Sequence, residues 1–299
     1  MLAKQKKCDI IYIAKDRREV ELQMPNTIAD LHVHSYYSDG TMSPSEIIET
    51  AINKNVGIIS ITDHDIIDGS IELMELSKKY NIKCISGVEI DALENGVNFH
   101  VLAYGIDLKN RDFVEFIIKN RDLLEEVNIK LIEKIQIDYD NITMSDYLDF
   151  NYDKRMGGWK ALHYFIQKGI TNSLFEGFMI YSKYEHSYNC VQFPSIKQVC
   201  DIIHHAGGKA VLAHPGKVIK SDNLKDFKSK VLDIVDLGID GIECYYPSHT
   251  TDVTNICLEV CKDLDLLITC GSDCHGEFEN TEIGEMNVSL ENLNLDTII

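Results

Sequence analysis

From residue 28 onward, short apolar runs rich in β-branched residues alternate with segments whose apolar positions recur every three to four residues. The runs cover residues 28–33, 57–61, 82–86, 97–103, 210–213, 241–245 and 266–270. Each has the length of a strand and is largely apolar on both faces, the pattern of strands buried between helices. Strands separated in this way by helices predict parallel β/α units, wound into a barrel or laid as an open sheet.

Two helix starts carry full signals. Ser43-Pro44-Ser45-Glu46 supplies a serine cap, a proline in the first helical position and a glutamate at the capping-box position. Ser195-Ile196-Lys197-Gln198 repeats the box after Pro194. That second helix is expected to stop at His204-His205-Ala206-Gly207-Gly208, where glycine suits a left-handed cap. Between residues 105 and 194 the alternation gives way to helical spacing at 113–137, 158–168 and 172–181, which predicts a helical insertion. Residues 8–22 read as two short strands about a polar turn. The expected division is a hairpin extension over 1–27, a β/α domain over 28–104 and 195–299, and an insertion over 105–194.

At 44% hydrophobic and 26% charged over 299 residues, the composition excludes a disordered, collagen-like or small disulfide-stapled chain. The net charge of −19 opposes general attraction to a polyanion, so no stable DNA-binding surface is expected. Any phosphate-bearing ligand needs a local positive site, which metal ions could supply. The nine cysteines are odd in number, scattered, and free of Cys-x-x-Cys spacing. The lysines near the start precede an apolar stretch too short for a signal peptide, and no segment approaches a membrane span. The expectation is a cytoplasmic, reduced protein with no membrane partner.

The chemistry is concentrated at strand ends. Asp30-Leu31-His32-Val33-His34-Ser35 closes the first run, and residues two apart in a strand share a face, so His32 and His34 converge. Two such imidazoles either bind a divalent transition metal or simply pack. The rest of the chain decides between them. Asp39 follows the first run, Thr62-Asp63-His64-Asp65 the second and Gly87-Val88-Glu89 the third; His100 lies in the fourth. His214-Pro215 ends the fifth, and Gly271-Ser272-Asp273-Cys274-His275 ends the seventh. Strand C-termini are the functional face of parallel β/α folds. Stability gives no reason to gather ionisable residues there.

The run DLHVHSYYSDG, then TDHD, GVE, the strand His100, AHP and GSDCH, resembles the polymerase and histidinol phosphatase (PHP) superfamily of metal-dependent phosphoesterases. The resemblance covers residues 28–105 and 195–284. It implies an α/β fold, a distorted (β/α)7 TIM-like barrel. It also implies two or three divalent ions (Mn, Fe or Zn) held by His32, His34, Asp39, His64, Glu89, His100, His214, Asp273 and His275. In such a cluster Glu89 would bridge two metals, while His32, His34 and Asp273 would complete one ion. All these positions carry the expected residue type, which favours an active site over a relic. The implied activity is hydrolysis of phosphate esters by hydroxide generated on the metals. The implied substrate is a small phosphorylated molecule: a nucleotide, a nucleotide bisphosphate or a short oligonucleotide end. Competing readings are a histidinol-phosphate-type phosphatase, an amidohydrolase-like C–N hydrolase and a non-catalytic metal-binding module. No lysine stands at a middle strand end to bridge metals as an amidohydrolase-like site would require; Glu89 holds that place.

Around the cluster, His275 and His249 are the candidate proton donors. His249, after the sixth strand, either contacts substrate phosphate or is solvated. Asp63, Asp65 and Glu243 suit carboxylates that orient metal-bound imidazoles, Asp65 being also a candidate catalytic group, or else ordinary strand-end caps. In the nucleotide-cleaving branch the insertion covers the barrel mouth and supplies basic contacts. That branch has an arginine and a histidine where Gly158 and Lys160 fall here, a departure that leaves Arg155, Lys160 and Lys183 as phosphate contacts. Trp159 either stacks on a base or fills the insertion core. His163, His186, His204 and His205 lack ligand spacing and read as structural.

Overall fold

The computed structural model describes residues 27–80, 82–295 and 298, so the expected hairpin over residues 8–22 lies outside the described residues. The elements begin β1 (Ile28–Asp30), α1 (Pro44–Asn53), β2 (Val56–Ile61), α2 (Asp68–Leu76), β3 (Lys83–Glu94) and β4 (Val97–Tyr104). Next come four helices, α3 (Arg111–Ile135), α4 (Met144–Asp149), α5 (Lys160–Gln167) and α6 (Leu174–Lys183). The alternation resumes with α7 (Ile196–His205), β5 (Lys209–Leu212), α8 (Pro215–Val218), α9 (Leu224–Val235), β6 (Gly241–Tyr245), α10 (Thr251–Leu264) and β7 (Leu267–Cys270). A short β8 (Val288–Ser289) pairs antiparallel with β1.

The sheet runs β7-β6-β5-β4-β3-β2-β1-β8, and β7 returns to β1. Leu31 N–H donates to the Cys270 carbonyl at 3.0 Å, and His34 N–H to that of Cys274 at 2.9 Å. β1 to β7 therefore close into a distorted α/β barrel of the TIM-like kind. Buried Asp30 stitches the seam, accepting the N–H groups of Ser272 at 2.9 Å and Gly284 at 2.7 Å. Burial pushes its carboxyl up to about 6 against those hydrogen bonds.

Both capping boxes form as the sequence dictates, Ser43 with Glu46 and Ser195 with Gln198. α7 stops at Ala206, and Gly207 follows at φ +77°. α1 buries Ile47, Ile48 and Ala51 against Ile59 and Ile61 of β2, the stripe its spacing predicts.

The all-parallel expectation needs correction. β3 runs through Glu94 into Asn95-Gly96, whose φ values of +50° and +80° make a two-residue hairpin. β4 is consequently antiparallel to both β3 and β5. Hydrophobic periodicity carries no direction, so the runs alone could not reveal this reversal. It explains why His100 sits in mid-strand, opposite Asp91, instead of at a C-terminal end.

The helices between β4 and β5 are held from two sides. The first half of α3 packs Phe113 and Ile117 into the barrel's apolar shell. Its last turns bury Leu131, Ile132 and Ile135 in a separate core with Tyr147, Phe165 and Ile180. No described helix is long and apolar enough to cross a membrane.

Candidate metal centre

The ends of β1, β2, β5 and β7, together with the middle of the β3–β4 hairpin, aim nine side chains into one chamber. His32, His34, Asp39, His64, Glu89, His214, Asp273 and His275 are buried there, with His100 partly so. Their ligand atoms fall into three groupings: His34, Asp39, His64 and His275; His32, His34, Glu89 and Asp273; and His64, Glu89 and His100. His214 stands outside these groupings but against Glu89, its Nε2 at 3.0 Å from Oε1.

Glu89 lies between the two halves of the cluster. Its Oε1 also faces His100 Nδ1 at 2.7 Å. Its Oε2 faces His32 Nε2 at 3.1 Å, His34 Nε2 at 3.2 Å and His64 Nδ1 at 3.4 Å. Burial by itself would raise the Glu89 carboxyl, but the imidazoles of His32, His100 and His64 hold it well below the usual range. Burial wins at His64, which drops to about 4 despite Glu89 and Asp39. The carboxylate of Asp39 wins at His275, which rises to about 10 against its burial.

The fit to a metal rests on unpaired donors. His34 Nδ1, Asp39 Oδ1, His64 Nδ1, Glu89 Oε2 and His214 Nδ1 are buried with no hydrogen-bond partner among the described residues. His32 Nε2 and His34 Nε2 face each other at 3.1 Å. Orphaned buried polar atoms cost free energy unless something pairs them. Imidazole and carboxylate lone pairs converging on one space suit divalent transition ions. His214 at φ +27° and Asp273 at φ +53° hold their places in strained backbone, a cost of order 1–3 kcal/mol each that clusters at functional sites.

The supporting carboxylates differ from expectation in part. Glu243 is fully buried; its Oε1 accepts His32 Nδ1–H at 2.9 Å and its Oε2 accepts His214 N–H at 2.8 Å. Asp63 instead takes the Ser35 N–H at 2.7 Å and the hydroxyls of Ser35 and Ser38 at 2.6 Å, so it shapes the turn after β1 and holds no imidazole. The carboxylate beside His100 is Asp91, at 3.3 Å from Nε2. Sequence reading passed over it, although it lies two residues after Glu89 in a strand and so on the same face.

Three expectations about catalytic and substrate groups are corrected by the geometry. Asp65 does not reach the chamber: it accepts from Asn120 Nδ2 at 2.7 Å and Asp91 N–H at 3.3 Å, and burial beside Asp91 pushes its carboxyl well up. His249 has both nitrogens committed, Nδ1–H to the Cys244 carbonyl at 3.1 Å and Nε2 to the Gly216 N–H at 3.1 Å. It braces α8 against β6 and has no lone pair or proton to spare. The proposed basic contacts also point elsewhere. Arg155 pairs with Glu46 at 2.7 Å, Lys160 lies over Tyr147 and bonds the Leu148 carbonyl, and Lys183 bonds Tyr139.

A cavity of about 280 Å³ opens onto the cluster, and among its described lining residues Lys217 is the one lysine or arginine. Its Nζ lies 3.1 Å from Asp273 Oδ2, which also accepts Tyr246 Oη–H at 2.8 Å. The signal for Lys217 was present, because it stands three residues after the strand-end His214. Trp159 lines the same cavity, 5.6 Å from the His64 ring, with the Arg121 guanidinium 5.2 Å from its own ring centroid. Gly158 has φ +68°, and a Cβ there would lie 3.0 Å from the Phe278 ring. Phe278 occupies the room a longer side chain at 158 would need.

The chain is similar to several known proteins. The PHP domain model matches residues 30–244. A 5'-3' exoribonuclease of Haemophilus influenzae is 26% identical over 86% of this chain and 93% of its own length. A phosphoribosyl 1,2-cyclic phosphate 1,2-diphosphodiesterase of Eggerthella lenta is 26% identical over 84% of this chain and 95% of its own. The crystal structure of a proposed metal-dependent phosphoesterase from Bifidobacterium adolescentis superposes with a TM-score of 0.74 at 24% identity, covering 92% and 96% of the two chains.

Proposed function

The chain belongs to the PHP domain family, and from that premise we propose that it is a metal-dependent phosphoesterase acting on a small nucleotide or a short oligonucleotide end. One observation carries the reading: Glu89 is buried among five imidazoles, and its own Oε2 and the Nδ1 atoms of His34, His64 and His214 have no hydrogen-bond partner among the described residues. The exoribonuclease and cyclic phosphodiesterase relatives support a phosphate ester linked to ribose. Two or three ions of Mn, Fe or Zn suit the three groupings of donors. A reduced, cytoplasmic setting belongs to the same proposal, and the free thiols of the described cysteines support it.

Bound at these residues, divalent ions would lower the pKa of a water and clamp phosphoryl oxygens. The protein's own groups set the geometry. Tyr246 and Lys217 both engage Asp273 Oδ2, which leaves Oδ1 facing His32 and His34 at 3.3 and 3.2 Å. His275 donates Nδ1–H to the Asp273 carbonyl at 2.8 Å, so Nε2 faces the cluster 3.3 Å from Asp39 Oδ2, and a bound ion would take the place of its proton there. That arrangement reserves His275 for ligation over proton donation. Lys217 is then the group placed to meet a phosphoryl oxygen at the cavity floor. Asp39, Glu89 and Asp273 bring −3, which roughly +6 from three divalent ions would outweigh, making the pocket attractive to phosphate inside an acidic protein.

The test is phosphate release by the manganese-loaded protein from nucleotides, nucleoside bisphosphates, sugar phosphates and short oligonucleotides. Chelation is expected to abolish turnover and added Mn or Zn to restore it. Full turnover in a demonstrably metal-free preparation would sink the proposal. Lys217→Met is expected to lower kcat/KM roughly ten-fold to a hundred-fold, the scale of one charge-assisted contact to phosphate, with metal content retained. Loss of metal in that variant would instead tie Lys217 to the cluster through Asp273.

A further inference from the structure

The cavity's outer wall is aromatic, which handling a phosphoryl group does not require. Phe178 of α6 and Phe278 both line it. Phe175, one turn earlier on α6, stacks on Phe278 with centroids 5.6 Å apart and planes 9° apart, and lies 6.4 Å from Phe178. Phe175 is 59% exposed, Phe178 43% and neighbouring Met179 68%. Exposed aromatic surface gives a folded monomer no burial energy, and a contiguous patch at a pocket mouth marks contact with something else.

Local backbone is bent to keep this wall in place. Gly157 and Gly158 both take φ +68°, and a Cβ at either would fall 2.7 or 3.0 Å from Phe278. The tandem glycines therefore let Phe278 sit at the mouth with its ring against Phe175. The cavity, at about 280 Å³, falls just under the ~300–1,000 Å³ of pockets that enclose a whole small ligand. With ions at its floor it holds a phosphoryl group and little more. The rest of the substrate must cross the rim.

We propose that Phe175 and Phe178, with buried Phe278 stacked behind Phe175, form a stacking platform for the substrate's nucleobase, so that the enzyme prefers nucleotides to base-free sugar phosphates. This inference rests on the phosphoesterase reading above. A base presents a flat π-face that stacks offset on phenyl rings. Phenyl rings offer no hydrogen bonds to base edges, so the preference tolerates any base. The platform also runs continuously from the phosphoryl site outward, as a base tethered through ribose to the reacting phosphate demands.

The test compares kcat/KM of the manganese-loaded enzyme for adenosine 3',5'-bisphosphate and for the same sugar bisphosphate lacking its base. The wild type is expected to favour the nucleotide by about ten-fold or more. Phe175→Ala with Phe178→Ala should erase most of that ratio, whereas Phe175→Tyr with Phe178→Tyr should keep it. A second readout needs no turnover: Trp159, the only tryptophan, lines the cavity, and its fluorescence should respond saturably to adenosine in the wild type and the tyrosine variant but not in the alanine variant. An equal ratio and an equal titration in wild type and alanine variant would overturn the platform. So would a wild-type dimer that the alanine changes convert to monomer with the ratio intact, because the patch would then be a self-association surface. No phosphate release from either compound by the wild type would overturn the hydrolase reading, and the tryptophan titration would still decide the platform.

Discussion

Glu89→Gln is expected to lose at least one ion per chain and about 10³-fold in turnover, while Asp65→Asn stays within about ten-fold of the wild type. Five imidazoles from β1, β2, β4 and β5 approach the two Glu89 oxygens within 3.4 Å. Glutamine keeps the shape but removes the negative charge, and it turns an N–H₂ toward lone pairs and cations that need an acceptor. Loss of a group acting directly on developing charge costs on the order of 10²–10³ in rate, and displacement of an ion adds to that. Asp65, by contrast, is engaged with Asn120 and the Asp91 N–H behind the chamber. Metal analysis and steady-state kinetics check both halves. A glutamine variant with wild-type metal content and turnover would remove Glu89 from the centre of the site.

Glu243→Ala is expected to weaken metal affinity about ten-fold to a hundred-fold, the scale for a group that orients a ligand from behind. The same change strands two buried donors, His32 Nδ1–H and His214 N–H, at about 1–3 kcal/mol each. A lower melting temperature in the metal-free protein should therefore accompany the weaker binding. Glu243→Gln retains one acceptor oxygen, so it should recover part of both effects. Chelator competition and thermal melts with and without metal make the measurement. Unchanged affinity in the alanine variant would mean that packing alone orients His32.

Much of the site was legible because it rests on local rules. Residues two apart in a strand share a face, so His32 and His34 announced themselves, and clustering of acidic and imidazole groups after the apolar runs marked the chamber. The caps at Ser43 and Ser195 were equally readable, since each box lies within four residues. Asn95-Gly96 was a hairpin signal of the same kind, but the alternation around it suggested parallel units, and the reversal of β4 went unread.

What failed were assignments that depend on where a long or doubly functional side chain ends. Arg155, Lys160 and Lys183 could swing toward a phosphate in sequence space; in the fold each finds a nearer partner in Glu46, Tyr147 with the Leu148 carbonyl, or Tyr139. His249 has the right chemistry and the right strand end, yet two backbone groups consume its nitrogens. The sequence by itself determined the barrel's strands and two helix caps, because these follow from periodicity and spacing along one chain, and it pointed to the cluster through its resemblance to the PHP superfamily. Only the tertiary structure decided the engagement of Lys217 with Asp273 and the aromatic wall at the mouth. Each of those joins residues far apart in the chain, and their approach is set by packing, which no local pattern encodes.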